Sequence, residues 1–253
     1  MDQASPSEQL YESHLIYAIK ECMKITLIHG QNHKGSTYHI ARMTAEKIGG
    51  SIEEFFLPLD CSEGCLGCFV CVNKGREFCP HSSQIEIIIT SMLAADVIII
   101  GSPTYVLEMT GHLKSFFDHL FTLWLSHRPE PPMFTKTAVV VSTAAGAGMS
   151  GVTKSIARQM FYLGVPKVYR FHERVAAMSW DDVKDKERIA TKSARIAHKI
   201  TKKNGKARPG IKLKFMFSVM RQMHRKNDWT PLDKKHWEDN NWFGKDRPWH
   251  TDL

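Results

Sequence analysis

Short apolar runs alternate with longer stretches of helical periodicity, and the strand-then-helix order repeats five times along the chain. The predicted strands cover residues 25–28, 52–57, 96–100, 137–141 and 167–171. The predicted helices cover residues 37–48, 84–93, 111–126, 152–163 and 182–203. The third strand has no polar alternation, which indicates a strand covered on both faces, as in parallel sheets. The pattern therefore predicts a doubly wound α/β domain.

Both ends of the chain depart from this alternation. Residues 1–22 are polar with a weak helical pattern, and we interpret them as an N-terminal extension. Residues 205–253 contain four of the six Trp residues and are predicted to form a C-terminal extension, with one amphipathic helix at 211–226 followed by an irregular arm. The α/β domain is accordingly expected to span residues 23–204.

The formal net charge of +8 is concentrated in the tail of the chain. Residues 1–181 carry 15 Lys and Arg against 17 Asp and Glu, whereas residues 182–253 carry 19 against 9. A basic, Trp-containing tail suits single-stranded nucleic acid, which stacks on aromatic rings. Because no recognised nucleic-acid module accompanies it, we favour an arm that covers its own domain or a partner subunit, and we expect no nucleic-acid partner.

The composition indicates a globular protein with one main core, since 43% of the 253 residues are hydrophobic. No apolar run reaches the roughly 18 residues that a membrane-spanning helix needs. The N-terminus also lacks the basic start and apolar stretch of a secretory signal. We therefore expect a soluble, cytoplasmic protein without a membrane span.

Three loops follow predicted strands at the edge where an open parallel sheet binds its ligands. The loop at 30–37 offers hydroxyl groups, Lys34 and the amides of a helix start, which suit a phosphate dianion, although a capped turn explains it equally well. The loop at 102–107 joins a rigid proline to a hydroxyl group and an aromatic ring, which suits a flat ligand. The loop at 142–150 is rich in Gly and Ala, so that its backbone can approach a bound ring.

Residues 24 to about 177 resemble the NAD(P)H-dependent FMN reductase branch of the flavodoxin superfamily. The family segments Gly-x-Pro-x-Tyr and Gly-x-Leu-Lys-x-Phe-x-Asp match residues 101–105 and 111–118, with His119 in place of the Arg that follows. The first loop aligns with the family's Gly-Ser-Pro-Arg-x-x-Gly-Asn-Thr type loop. It departs from that pattern at Gln31, Asn32, His33 and Ser36.

This resemblance implies a flavodoxin-like sheet in the order 2-1-3-4-5, FMN as cofactor, NAD(P)H as co-substrate and a homo-oligomer. The residues that it places around FMN are Gln31, His33, Gly35, Ser36, Thr37, Pro103, Thr104, Tyr105, Val106, Ser142, Thr143, Ala144 and Gly146. No protein acid or nucleophile is expected to be catalytic, because the flavin carries the redox chemistry.

Five of the six cysteines lie within nineteen residues. Cys65, Cys68, Cys71 and Cys79, with Pro80 after the last, have the C-x2-C-x2-C…C-P spacing of ferredoxin-type ligation, in which four thiolates hold a [4Fe-4S] cluster. The spacing resembles the iron-sulfur flavoproteins of the same superfamily. Zinc, and free or redox-active thiols, remain alternatives, and the other two cysteines are interpreted as spare thiols.

The preferred function is an FMN-dependent oxidoreductase that accepts hydride from NAD(P)H. The acceptor would be a quinone, a flavin, a nitro or azo compound, or a redox protein. The alternative is a non-enzymic iron-sulfur flavoprotein that carries electrons through a [4Fe-4S] cluster. A protein that binds FMN but does not oxidise NAD(P)H would favour the alternative.

Overall fold

The central sheet has five strands. They are β1 Lys24–His29, β2 Ser51–Phe56, β3 Val97–Gly101, β4 Thr137–Ala144 and β5 Lys167–Arg174. All pair in parallel, in the order β2-β1-β3-β4-β5. The computed structural model, which describes residues 23–226 and 228–250, therefore confirms the predicted doubly wound sheet.

Six helices connect or follow these strands. They are α1 Ser36–Ile48, α2 Val70–Asn73, α3 Ser82–Ala94, α4 Gly111–His119, α5 Met149–Tyr162 and α6 Lys186–Thr201. Short 3₁₀ turns at Arg76–Phe78, Phe121–Leu123 and Pro131–Thr135 complete the connections. The short helix α2 lies within the cysteine-rich segment, where the sequence pattern predicted only a loop.

Helices cover both faces of the sheet. Ile98 and Ile100 of β3 belong to a buried cluster that also contains residues of α3, α4 and α5. Val97 and Ile99 belong to a second cluster, which contains residues of α1 and α6. Successive side chains of a strand point to opposite faces, so a strand with an apolar layer on each face is apolar throughout. This explains why the third predicted strand has no polar alternation.

The helix predicted over 111–126 is shorter than its pattern indicated. α4 ends at His119, and a 3₁₀ turn follows. Beyond it the Trp124 ring stacks on Tyr162 with centroids 4.8 Å apart, and the Leu125 amide donates to the Tyr162 carbonyl at 2.8 Å. These contacts with the end of α5 draw the chain away from the helix axis, so tertiary packing overrides the local periodicity.

The C-terminal segment, residues 205–250, contains the helices α7 Ile211–Arg225 and α8 Pro231–Asp239. The expectation of an irregular arm after the first helix was therefore wrong in part, because α8 is regular. Its Trp237 joins Phe217 of α7 and Trp242 in a buried aromatic cluster with Phe134 of the α/β domain. The Trp237 side chain of α8 therefore forms part of a buried core.

The predicted N-terminal extension, residues 1–22, lies outside the described residues. The division into 23–204 and 205–253 stays a prediction. Over the described ranges 23–226 and 228–250, every helix is too short or too polar to cross a membrane.

Replacing Phe217 by alanine tests how strongly the C-terminal segment packs. Phe217 is 0% exposed, and its ring lies 4.8 Å from Trp237 and 5.8 Å from Phe134 between centroids. We expect Phe217→Ala to lower the free energy of unfolding by about 3–5 kcal/mol in denaturant titration, because it leaves a cavity. Phe215→Ala, on the exposed face of the same helix, is the control, with an expected change within about 0.5 kcal/mol. Equal losses in the two variants would contradict this packing.

Candidate functional site

The first two predicted edge loops leave the sheet at one level, whereas β4 continues beyond it to Ala144, so residues 142–144 of the third predicted loop belong to the strand. Parallel pairing sets His29 beside Gly101 and Gly101 beside Val141. The Gly30 amide donates to the Gly101 carbonyl at 2.7 Å, and the Ser102 amide donates to the Val141 carbonyl at 2.9 Å. The loops after β1 and β3 therefore begin side by side, and the loop after β4 begins three residues further along the same carboxyl edge, where ligands of open parallel sheets bind.

Gln31 connects the first loop to the second. Its Oε1 accepts a hydrogen bond from the Tyr105 hydroxyl at 3.3 Å, and its Nε2 donates to the His33 carbonyl at 3.1 Å. Gly35 is the N-cap of α1, and no side chain caps this end of the helix. The main-chain N–H groups of the first turn, from Ser36 onward, therefore lack a side-chain acceptor. Such amides, together with the helix dipole, favour an anion.

Buried hydroxyl groups join the third loop to the other two. The Thr37 and Thr143 Oγ1 atoms lie 2.7 Å apart, and Thr104 Oγ1 lies 3.0 Å from Ser142 Oγ. The Thr104 amide also donates to the Thr143 carbonyl at 2.9 Å. Thr37, Ser142 and Thr143 are buried, as is Pro103, so these predicted site residues hold the loops at a fixed spacing.

The second loop ends in a strained, exposed turn. Tyr105 and Glu108 exchange two main-chain hydrogen bonds of 3.0 Å, and Val106 and Leu107 between them have φ angles of 50° and 64°. The left-handed region is unfavourable for a β-branched residue and costs of the order of 1–3 kcal/mol. Val106 is nevertheless 97% exposed. The turn therefore presents an apolar tip at the edge of the site.

Gly148, at the start of α5, brings the third loop against the second. Its φ is +95°, and a Cβ atom there would lie 2.8 Å from Thr104 Cγ2 and 3.2 Å from Leu107 Cα. The preceding residues Ala144 and Gly146 are half-buried and exposed, respectively. The backbone between β4 and α5 is thus open, with its far end fixed by a contact that only glycine allows.

Thr110 is a framework residue that the sequence interpretation missed. It is the N-cap of α4, its hydroxyl donates to the Gly30 carbonyl, and its amide donates to Ser102 Oγ at 3.0 Å. Thr110, which follows the turn at 105–108 in the sequence, thereby joins the first loop to the second. The available signal was a Thr directly before the Gly111 segment, in the position of a helix N-cap.

The electrostatics of the first loop favour an anion. His29 at the end of β1 is buried, and burial lowers its pKa although its Nε2 lies 2.7 Å from Glu54 Oε1. The imidazole therefore stays neutral near pH 7. The cation of this loop is Lys34, whose Nζ lies 5.4 Å from the centre of the Tyr38 ring.

The four predicted metal-ligating cysteines, Cys65, Cys68, Cys71 and Cys79, line one cleft of about 530 Å³. Phe117, Phe121 and Trp124, from α4 and the residues that follow it, line the same cleft together with the charged side chains of Lys114 and Asp118. The thiols therefore share the cleft with aromatic rings and with charged groups.

The four thiols line the same cleft, but they are not arranged as a set of metal ligands. Burial raises the pKa of Cys71, and the nearby Cys79 and Cys65 raise it further. Within residues 23–226 and 228–250, however, no three His, Cys, Asp or Glu side chains are grouped as metal ligands. The donor chemistry fits a thiolate-bound metal, but this structure does not gather the thiols into such a site.

Arg128 and Asp233, which hold the main chain of the cysteine-rich segment, are two further residues that the sequence interpretation missed. Arg128 Nη2 donates to the Cys71 carbonyl, and its Nη1 donates to Asp233 Oδ1 at 2.6 Å. Asp233 is fully buried, and His127 Nδ1 lies 2.7 Å from its other oxygen. Burial alone would raise the pKa of Asp233, but the hydrogen bond from His127 and the charge of Arg128 lower it overall.

Comparison with known proteins shows the family to which this chain is similar. Residues 23–173 match the family described as NADPH-dependent FMN reductase. An iron-sulfur flavoprotein of Archaeoglobus fulgidus is 33% identical over 99 residues, which cover 38% of this chain and 48% of that protein. An iron-sulfur flavoprotein of Methanocaldococcus jannaschii is 28% identical over 142 residues, covering 54% and 69%. The chain spans about half the length of the first of these relatives.

Solved structures share the fold at lower identity. The NAD(P)H:quinone oxidoreductase of Methanothermobacter marburgensis superposes with a TM-score of 0.54 at 16% identity, covering 71% of this chain and 97% of that one. The NAD(P)H:(acceptor) oxidoreductase FerB of Paracoccus denitrificans gives a TM-score of 0.52 at 11% identity, covering 73% and 100%. At these identities the likeness establishes the flavodoxin-like fold alone.

Cys61 provides a test of the thiol environment. It is 3% exposed, and burial, followed by the charge of Asp60, raises its pKa to about 11. Its thiolate fraction at pH 8 is therefore of the order of 0.001, and the thiolate is the reactive form. We expect iodoacetamide at pH 8 to alkylate the exposed Cys65 and Cys68 and to leave Cys61 unmodified, as measured by peptide mass spectrometry. Alkylation of all three at similar rates would contradict this placement.

Proposed function

Because the chain belongs to the NADPH-dependent FMN reductase family, we propose that it is an oxidoreductase that binds FMN at the carboxyl edge of its sheet. Electrons would pass from a reduced nicotinamide to an acceptor. The observation that carries this proposal is the set of side-chain hydrogen bonds joining the loops at 30–37, 102–110 and 142–148. Loops held together in this way form a preorganised site, which lowers the cost of binding.

The residues fit the two chemically different ends of FMN. The phosphate suits the start of α1, where Ser36 and its amide neighbours lie beside Lys34. The flat ring suits the apolar turn at 105–107 and the open backbone at 144–146. When bound, FMN accepts hydride from NAD(P)H and releases one or two electrons.

The chain's own contribution is binding and orientation. The hydroxyl pairs keep the loops at a fixed separation, and the turn at 105–107 presents apolar side chains toward solvent, where a nicotinamide or an acceptor would approach. No general acid or nucleophile is needed for hydride transfer to a flavin. The proposed acceptors are a quinone, a flavin, a nitro or azo compound, or a redox protein.

An iron-sulfur electron carrier is the second candidate function. It is supported by the four thiols that line one cleft and by the name of the curated relatives. Because this structure does not gather the thiols into a metal site, we assign only the ligand set, Cys65, Cys68, Cys71 and Cys79, and derive no electron-transfer step from it. Zinc and free thiols are the competing uses of the same residues.

We further propose a cytoplasmic location and a homo-oligomer. The five cysteines in the described ranges are free, which suits a reducing compartment. The exposed apolar turn at 105–107 is a surface that an oligomer or an acceptor would cover.

Gly148→Ala tests the FMN site. The new Cβ would strain a residue with φ of +95° and press on Thr104 and Leu107, which shifts the second loop. We expect FMN affinity, measured by quenching of flavin fluorescence, to fall by about tenfold or more, equivalent to about 1.4 kcal/mol.

Gly151→Ala is the matched control for this experiment. Gly151 lies in α5 with nothing within 4 Å of its Cβ position, so alanine there should leave FMN affinity unchanged. Equal affinity in wild type and both variants would contradict the proposed ring site. A protein that takes up no FMN would end the proposal.

Cys79→Ser tests the iron-sulfur alternative, with Cys61→Ser as its matched control. If a cluster is present, protein purified without air should absorb at about 400 nm beyond the flavin bands and contain iron and sulfide. Cys79→Ser should lose that absorption and keep FMN, whereas Cys61→Ser should keep both. Wild-type protein without iron and sulfide, together with rapid NAD(P)H oxidation, would rule out the carrier and support the reductase.

A further inference from the structure

The C-terminal segment contacts the chain that links α4 to β4 at three consecutive residues. Asp233 of α8 binds the His127 and Arg128 side chains, at 2.7 and 2.6 Å. Trp237 Nε1 donates to the His127 carbonyl at 2.7 Å, and His236 Nε2 lies 3.0 Å from the carbonyl oxygen of Pro129. One helix therefore fixes both the main chain and the side chains of this stretch.

Arg128 extends this contact to the cysteine-rich loop. Its guanidinium donates to the Cys71 carbonyl and, at 3.4 Å, to the Val72 carbonyl, while it is paired with Asp233. Nη1 donates to Asp233 and to the Val72 carbonyl while Nη2 donates to the Cys71 carbonyl, and lysine has only one nitrogen with which to reach these acceptors. The position of Arg128 between a buried carboxylate and α2 makes it a bridge from the C-terminal segment to the thiols.

A second line of contacts is aromatic. The His127 ring lies 4.3 Å from the Phe121 ring, and Phe121 lies 6.4 Å from Phe69, edge to face. Phe69 is the N-cap of α2, with a φ of 56°. Asp233 is thus connected to α2 in two ways. Through Arg128 it is connected to the carbonyl groups of Cys71 and Val72. Through His127 and then the Phe121 ring it is connected to Phe69, the residue before the helix.

We propose that the C-terminal segment positions the cysteine loop, and that Asp233 is the positioning residue, acting through Arg128 on the Cys71 main chain. The segment thereby sets how the Cys71 thiol is presented in the cleft. This inference goes beyond the proposed function, because it depends on the loop contacts alone and holds whether the thiols bind a cluster or act as free thiols.

The test measures alkylation of each cysteine in the full-length, reduced protein after treatment with a chelator. Asp233→Asn keeps the side-chain volume but removes the charge that holds His127 and Arg128. We expect Cys71 to react with iodoacetamide about tenfold faster than in wild type, because the loop opens more often, while exposed Cys65 keeps its rate. Asp228→Asn is the matched control, since it breaks an exposed ion pair of the same segment, and should leave Cys71 unchanged.

Arg128→Lys is the second variant, and it decides the question if Asp233→Asn does not fold. Lysine keeps a positive charge beside Asp233, so the melting temperature should stay near that of wild type, but it releases the carbonyls, so Cys71 should again react faster. FMN affinity should stay at the wild-type value in all three variants, which separates this test from the proposed function. If Arg128→Lys folds and leaves the Cys71 rate unchanged, Arg128 has only a structural role and the proposal is wrong.

Discussion

The parallel register of β1, β3 and β4, whose following loops all leave at the carboxyl edge, is the constraint on which the site depends. Asp96 fixes the same strands at the opposite edge, where its carboxylate accepts from the Lys24 amide at 2.9 Å, its amide donates to the Lys24 carbonyl and its carbonyl accepts from the Thr137 amide. With the amino edge aligned and apolar layers on both faces, all three loops leave at the carboxyl edge, the third after β4 has continued to Ala144. Ligand binding at such an edge follows from strand register more than from any single side chain.

The framework and the contact surface of the site are made by different residues. Two pairs of hydroxyl groups satisfy one another between the loops, and the Thr110 hydroxyl donates to the Gly30 carbonyl, so the framework has little freedom to move. The side chains of the turn at 105–107 and the backbone at 145–146, which follows β4, are exposed to solvent. A buried, fully hydrogen-bonded network is rigid, so it can hold a strained turn that would relax in isolation.

The cysteine-rich loop depends on a different part of the chain. Its helix α2 has four residues, too few for a stable helix by itself, and the bonds from Arg128 satisfy carbonyl groups at its end. The C-terminal segment that anchors Arg128 is in turn held by the aromatic cluster around Trp237. Packing far along the sequence therefore stabilises a loop whose local sequence supplies thiols but little structure.

The sequence by itself determined the order of strands and helices, the covered β3 strand and the three edge loops, because periodicity and turn residues act over short distances. The residues assigned to the FMN site rest on a resemblance and stay a prediction. Only the tertiary structure decided that α4 ends at His119, that Thr110 joins two loops, and that Asp233 reaches Cys71 through Arg128. Those contacts join residues as many as 105 positions apart, and no local pattern encodes which distant partners will meet.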